Sequence, residues 1–168
     1  MKKFLKYFLC AFAFVIFQIS FNKVVNAETI NETYTNSKIY VGKDREFTIP
    51  MLAKLEQVSH NQIEITYDRD VDMKLGTKAT NYWVQDMVND VPKGIATLGK
   101  NDKVNDKNSL NDKKVKIESK NGSAKTFILT FNQDITKGVE YKLIICYVTV
   151  EGAPDYNGDN GSATFVGK

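Results

Sequence analysis

Apolar and polar residues alternate from Gln62 to Asp68 within residues 61–72, NQIEITYDRDVD. Ile63, Ile65 and Tyr67 fall on one side of an extended chain, and the polar residues between them fall on the other. This period of two, rich in β-branched and aromatic residues, is typical of a half-buried antiparallel strand. We therefore expect this strand to organise the chain, with later strands folding back over its apolar face.

The second half of the chain contains a hairpin and a long apolar strand. Asn121-Gly122 predicts a tight turn because both residues tolerate positive φ. A short strand with Val115 and Ile117 precedes that turn, and the returning strand carries three alternating core residues, Phe127, Leu129 and Phe131. Residues 141–150 are apolar on both faces, as expected in the middle of a sheet sandwich.

Shorter apolar runs predict the remaining strands. Pro50 lacks an amide for a sheet ladder, so residues 53–58 are predicted to form an edge strand. Further strands are expected at residues 81–84, 95–98 and 163–166, and no segment keeps helical periodicity over three turns. About seven short strands separated by turn signals predict an all-β fold, an antiparallel β-sandwich.

Two polar stretches lie outside this pattern. Residues 28–50 are read as an N-terminal tail or spacer, and residues 51–168 as the sandwich domain. Residues 100–114, KNDKVNDKNSLNDKK, repeat Asn-Asp-Lys three times. So polar a segment buries too little apolar surface to offset its ordering entropy, and we expect a mobile loop there.

Residues 1–27 have the layout of a secretory signal peptide. Lysines at the start are followed by an apolar core at residues 7–17, and Ala27 stands at the expected cleavage position. The core is shorter than the ~20 residues that span a bilayer. We expect a mature chain that begins at Glu28, is secreted or associated with the cell envelope, and is not held in a membrane.

Removal of this leader changes the charge balance. The net charge of the whole sequence is +3, but four lysines leave with the leader, so 19 basic residues face 20 acidic ones. A mature net charge of −1 gives no support for a nucleic-acid partner. Cys146 is then the only cysteine, and its apolar surroundings in LIICYVTV indicate a buried hydrophobe rather than a reactive thiol.

Three segments together resemble the bacterial Ig-like domains of the surface-layer protein type. They are IEITYDRDVD followed by NYWV, then FILTFNQDITKGVEYKLII, then GAPDYNGDN with its likeness to that family's Asp-x-x-Gly-Asn loop. The resemblance covers roughly residues 51–168. It implies an Ig-like sandwich with a structural or adhesive role and no catalytic activity.

No residue pattern indicates a catalytic centre. His60 is the only histidine and lies beside Ser59, but a hydrolytic triad also needs an oriented base and an oxyanion hole. No Gly-x-Ser-x-Gly turn is present to supply the nucleophile. We expect a protein that is not an enzyme; a small secreted hydrolase is the alternative that abundant carboxylates leave open.

The metal and glycan candidates lie in the loops. Asp155, Asn157 and Asp159 place oxygen ligands at alternate positions, as a calcium loop does, although the sixth and twelfth positions are not those of an EF-hand. Asp68, Asp70 and Asp72 form a second acidic set. A calcium-dependent glycan-binding module is therefore a second alternative, with exposed aromatics from the set Tyr82, Trp83, Tyr147 and Tyr156. The expected partner is a protein or an envelope polysaccharide, bound by the loops at residues 68–79 and 151–162.

Overall fold

The structure, a computed structural model, describes residues 46–168 and the backbone of Ile39–Val41. It is nearly all-β, with 40% strand and 11% helix. The strands are β1 Ile39–Val41, β2 Glu46–Thr48, β3 Leu52–Ser59, β4 Gln62–Tyr67, β5 Tyr82–Asp86, β6 Val115–Ser119, β7 Thr126–Phe131, β8 Glu140–Cys146 and β9 Asp159–Val166. One short helix, α1 (Met73–Gly76), follows β4.

Two antiparallel sheets form the sandwich. One has four strands in the order β3-β4-β7-β6, and the other has three in the order β5-β8-β9. β1 and β2 pair separately as a two-stranded sheet within the range read as a spacer. The seven strands of the two larger sheets confirm the predicted β-sandwich.

The alternating strand lies inside the larger sheet, where the pattern placed it. Ile63, Ile65 and Tyr67 of β4 are each 0% exposed, and Ile63 is opposite Leu129 of β7. The core residues predicted for β7 are buried as well. Asn121 and Gly122 have φ of 54° and 75°, so the predicted turn between β6 and β7 is confirmed.

A buried hydroxyl contact joins the two sheets. The hydroxyl oxygens of Tyr67 in β4 and Tyr82 in β5 are 2.9 Å apart, and the Tyr82 hydroxyl donates to the Gly76 carbonyl at 2.5 Å. Burial raises the pKa of both phenols, so both stay neutral. A Cβ on Gly76 would come within 2.7 Å of the Phe127 ring, which is why helix α1 closes with glycine against the core.

The sheet edges differ in how they are covered. β3 is an edge strand, as Pro50 predicted, and it lies beside β9 of the other sheet. The outer edge of β5 is occupied by loop backbone, with Leu98 N–H donating to Val84 O and Leu110 N–H donating to Tyr82 O. The predicted strand at 95–98 is therefore wrong, since only a single parallel bridge joins Leu98 to Gln85.

The long strand expected at residues 141–150 is shorter and more one-sided than its composition suggested. β8 is the middle strand of its sheet, as predicted, but ends at Cys146, and Tyr147 has a φ of 68°. Tyr141, Leu143 and Ile145 are buried, whereas the alternate side chains are half-buried. An apolar run alone did not reveal the turn at Tyr147.

The polar insert at residues 100–114 is ordered, contrary to the sequence expectation. Its Asn105 and Asn108 form a capping box around a short 3-10 turn, Asp106–Asn108. Leu110 is 0% exposed and anchors the segment in the core. One buried leucine and hydrogen-bonded asparagines hold a segment whose composition argued for mobility.

The predicted signal peptide lies outside the described residues, and the domain boundaries stay predictions. Within the part of the chain that the structure covers, no helix is long and apolar enough to cross a membrane.

Candidate functional site

Three loops meet at one end of the sandwich, which we call the loop end: residues 68–79, 120–125 and 147–158. Backbone hydrogen bonds connect them, from Asp72 N–H to Thr149 O and from Val71 N–H to Ala124 O, each 2.8 Å long. The predicted loop at residues 68–79 thus contacts Thr149, which lies two residues before the other predicted loop, 151–162. Loops at the end of a sandwich are free of the strands' packing constraints and can hold a binding surface.

The acidic set Asp68, Asp70 and Asp72 is divided among structural tasks. Asp72 caps α1, because its carboxylate accepts from the backbone N–H groups of Lys74 and Leu75 at 2.8 and 3.1 Å. Asp68 accepts from Arg69 at 2.7 Å and from the Met51 amide at 2.9 Å. Burial opposes its ionisation, yet these donors hold the pKa of Asp68 below its usual range. Two of the three carboxylates therefore serve the fold.

The predicted calcium ligands lie at the start of β9 and in the loop before it. Asp155 and Asn157 are exposed, and Asp159 is the first residue of the strand. Oδ1 of Asp159 accepts from the Gly161 N–H at 2.7 Å. Among the described residues, no group of three His, Cys, Asp or Glu side chains is arranged to hold a metal ion. The predicted site includes Asn157, and asparagine is not one of those four residue types. Calcium binding by Asp155, Asn157 and Asp159 therefore stays a prediction.

The neighbouring Asn160 is the polar residue on which this end of the fold depends. It is 0% exposed, and its amide nitrogen donates to Pro50 O at 2.8 Å and to Val148 O at 2.7 Å. Its Oδ1 accepts from the Val148 N–H at 2.9 Å. Asn160 thus joins three chain segments. It lies one position beyond the asparagine of the Asp-x-x-Gly-Asn likeness, where this chain has Asp159, so that likeness does not identify it.

A second buried polar residue, Asp86, organises the opposite end. Its side chain is 0% exposed and accepts from the backbone N–H groups of Val88, Asn89 and Lys93 at 2.9, 2.8 and 3.3 Å. Burial opposes ionisation of the carboxyl, but these donors outweigh it and hold the pKa of Asp86 below its usual range. Sequence reasoning missed this residue, because an aspartate at the end of a strand resembles any turn residue.

Replacing Asp86 with asparagine should lower the free energy of unfolding relative to the parent. The loss should be larger at neutral pH than at acid pH. A carboxyl whose pKa is lowered by folding adds stability above its unfolded pKa of about 3.9, and that stability is lost as pH falls through the folded value. We expect a deficit of about 2 kcal/mol at pH 7, shrinking below pH 4. Urea unfolding of both proteins at pH 7 and pH 3 measures it. An equal deficit at both pH values would contradict the role of the charge.

Trp83 does not form an exposed aromatic platform. It is 0% exposed, and its indole N–H lies 3.0 Å from Asn105 O and 3.1 Å from Asn108 Oδ1. The ring of Tyr147 meets it edge-on at 5.9 Å. The polar insert therefore covers this tryptophan on the outer face of the smaller sheet, and Tyr82 is buried too. Neither side chain is available to stack on a sugar.

His60 and Ser59 do not form a nucleophile–base pair. The imidazole is exposed, and its Nε2 lies 3.7 Å from Asp134. The Ser59 hydroxyl instead lies within hydrogen-bond distance of Asn61 Oδ1 and Gln62 Oε1, at 3.2 and 3.3 Å. Cys146 is half-buried, and burial together with the nearby Asp159 raises the pKa of its thiol to about 11. A thiol with that pKa is a poor nucleophile at neutral pH.

No protein family matches the chain, and no curated protein does. Solved structures do match. The crystal structure of the S-layer protein rSbsC(31-844) is 11% identical, with a TM-score of 0.50, over 70% of this chain and 13% of that one. The N-terminal part of the bacterial S-layer protein SbsC is 11% identical with a TM-score of 0.49, over 70% of this chain and 23% of that one. The structure of SbsC domains 1–6 is 12% identical with a TM-score of 0.48, over 70% of this chain and 14% of that one.

This chain spans less than a quarter of the length of each of these structures. At 11% identity, the likeness to rSbsC(31-844), with its TM-score of 0.50, concerns the fold and nothing more. The fold is thus like that of an S-layer protein fragment.

Proposed function

We propose that the chain is a secreted, non-enzymatic Ig-like module that makes structural or adhesive contacts at the bacterial cell envelope. The observation that carries this proposal is that the polar side chains near the loops make hydrogen bonds within the fold. Asp68, Asp72 and Asn160 at the loop end, like Asp86 at the opposite end, accept or donate hydrogen bonds that hold loops in place. The loop end is thereby presented as a shaped surface rather than as a set of groups poised for chemistry.

Two further observations support this role. The fold likeness to an S-layer protein concerns a protein whose name places it in a surface layer. The predicted leader would send the chain out of the cytoplasm. The partner we propose is a protein or an envelope polysaccharide that contacts the loop end, with no nucleic acid and no membrane anchorage after the leader is removed.

Co-sedimentation of the purified protein with isolated bacterial envelopes tests this role. Met73 is 39% exposed at the loop end, and Asn157 is exposed in the same surface. Changing both to alanine should weaken retention about tenfold if the loop end is the contact surface. Val91→Ala is the matched control, because Val91 is 74% exposed in the loop after β5, at the opposite end. Equal retention of all three proteins would place the contact elsewhere, and no retention of the parent would contradict an envelope role.

Calcium is a separate question at the same end. A cation held by Asp155, Asn157 and Asp159 would order the loop and stabilise the folded state in proportion to its occupancy. We expect millimolar calcium to raise the melting temperature of the parent relative to chelator, and to leave the Asp155→Ala variant unchanged. If the melting temperature of the parent does not shift, the calcium-binding hypothesis is wrong. The calcium-dependent glycan-binding alternative is then excluded as well, and the module would contact its partner without a metal ion.

A further inference from the structure

The sequence contains three Asn-Gly pairs, at residues 121–122, 157–158 and 160–161. An asparagine followed by glycine is prone to deamidation, because the nitrogen of the glycine amide can attack the asparagine side chain. Glycine has no side chain to block this approach, and its backbone adopts the angles that the reaction needs. The fold places the three pairs in three different environments, so it decides which of them can react.

The reaction has two steps, and water is the only reactant besides the chain. The glycine nitrogen forms a bond to Cγ of the asparagine, and the side-chain nitrogen leaves as ammonia, taking up a proton equivalent to the one that the glycine nitrogen loses. The product is a five-membered succinimide ring. Water then opens the ring at either carbonyl, which gives aspartate or isoaspartate. No oxidant or reductant takes part, and each pair that reacts adds one negative charge.

The fold withholds Asn160 from this reaction. Its side chain is 0% exposed, with the amide nitrogen donating to Pro50 O and Val148 O and the oxygen accepting from the Val148 N–H. The attacking nitrogen is occupied as well, since the Gly161 N–H donates to Asp159 Oδ1 at 2.7 Å. Both reacting groups must therefore leave their partners before a ring can form.

Asn121 is exposed, but the turn between β6 and β7 holds its backbone in an unsuitable conformation. Its φ and ψ are 54° and 34°. Ring closure requires the glycine nitrogen to lie on the same side of the Cα–C bond as Cβ of the asparagine. A ψ of 34° places that nitrogen nearly opposite Cβ, so the turn must open before Gly122 can attack.

Asn157 is under neither of these restraints. It is exposed at the end of a stretch without regular structure, residues 153–157, and it does not have the left-handed backbone conformation of Asn121. Its side chain makes no hydrogen bond to any residue that the structure describes. The same part of the chain offers no acceptor to the Gly158 N–H, so the attacking nitrogen is unoccupied too.

The packing of Tyr156 requires the glycine that makes Asn157 reactive. A Cβ on Gly158 would overlap the Tyr156 ring. The carbonyl of Gly158 also accepts from the Tyr147 N–H at 3.0 Å, which ties this glycine to the residue after β8. A residue with a side chain could not replace Gly158 unless the tyrosine ring moved.

We propose that Asn157 is a site of spontaneous deamidation in the folded protein, that Asn121 reacts more slowly, and that Asn160 is protected. Conversion places a third carboxylate between Asp155 and Asp159, so the loop end becomes more negative as the protein ages. Where isoaspartate forms, the backbone of the loop also becomes longer by one methylene group.

Incubation of the purified protein in mildly alkaline buffer with chelator, followed by mass spectrometry, tests the proposal. Cleavage on the amino side of aspartate separates Asn157, in fragment 155–158, from Asn160, in fragment 159–168, and an aspartate formed at position 157 adds a further cut. Asn157 should convert faster than Asn121. It should convert at least about a hundredfold faster than Asn160, whose reaction requires the end of β9 to open.

The same incubation in guanidinium chloride removes the influence of the fold. All three pairs should then convert at similar rates, and the ratio of folded to denatured rate at each pair measures how far the fold protects it. A ratio at Asn157 as small as the ratio at Asn160 would overturn the proposal.

Asn157→Gln tests where the added charge arises. Attack on a glutamine side chain needs a six-membered ring and is much slower, so ion-exchange chromatography of the aged variant should show only the slow acidic shift from Asn121. Asn121→Gln is the matched control and should keep the faster shift. If the faster shift survives in Asn157→Gln and is lost in Asn121→Gln, the reactive pair is the one in the turn and the proposal is wrong. None of these outcomes depends on the envelope role.

Discussion

Truncation of Phe131 to alanine is expected to lower the free energy of unfolding by about 3–5 kcal/mol, the usual cost for a buried phenylalanine. Phe131 is 2% exposed at the end of β7, opposite Val115 of β6. Its removal takes apolar surface out of the core and leaves a cavity that the surrounding strands can fill only in part. Urea unfolding monitored by tryptophan fluorescence measures the loss.

Ile128→Ala is the matched control for this experiment. Ile128 lies on the same strand with its side chain on the opposite, half-buried face. Its truncation should cost clearly less, about 1 kcal/mol. A loss below about 1 kcal/mol for Phe131→Ala, or equal losses for both variants, would mean that the core face of β7 has been assigned wrongly.

Replacement of Asn160 by alanine is expected to cost about 3 kcal/mol, a large effect for a polar residue. The change leaves the Val148 N–H and the Pro50 carbonyl without the amide that now satisfies them. A buried donor or acceptor left without a partner costs about 1–3 kcal/mol. Urea unfolding again supplies the measurement.

The control for Asn160 lies three residues earlier. Asn157 is exposed in the same loop, so in chelator, where the proposed calcium site is empty, Asn157→Ala should change stability by no more than about 0.5 kcal/mol. If the two asparagine variants lose the same stability, Asn160 does not hold the strands together as its hydrogen bonds indicate.

The parts of the fold that sequence could predict are those where local pattern and burial coincide. Ile63, Ile65 and Tyr67 alternate because one face of β4 is buried and the other is not, which is visible in any half-buried strand. Pro50 marked an edge because it has no amide, and Asn121-Gly122 marked a turn because of its φ preference. Each of these signals is contained within a few residues.

The missed features depend on residues that are distant in sequence. Trp83 is buried by asparagines more than twenty residues away, and these asparagines together with the buried Leu110 anchor the polar insert. The composition of a segment is an average over its residues, so it does not reveal one apolar residue that is buried in the core. Asn160 acquires its role from Pro50, 110 positions away, so no local pattern could mark it as buried.

That the loops at residues 68–79 and 151–162 carry binding stays a prediction. The loop at residues 68–79 bonds to Thr149, two residues before the second of these segments, and residues 159–162 belong to β9. Their carboxylates are largely assigned to capping and to holding strand ends, which sequence cannot foresee because a capping aspartate and a ligand aspartate look alike.

The most direct measurement of the central claim is N-terminal sequencing of the protein recovered from separated cytosol, envelope and culture fluid. A secreted module at the cell envelope should be found in the envelope or the culture fluid, and its first residue should be Glu28. Recovery from the cytosol with Met1 retained would contradict the account.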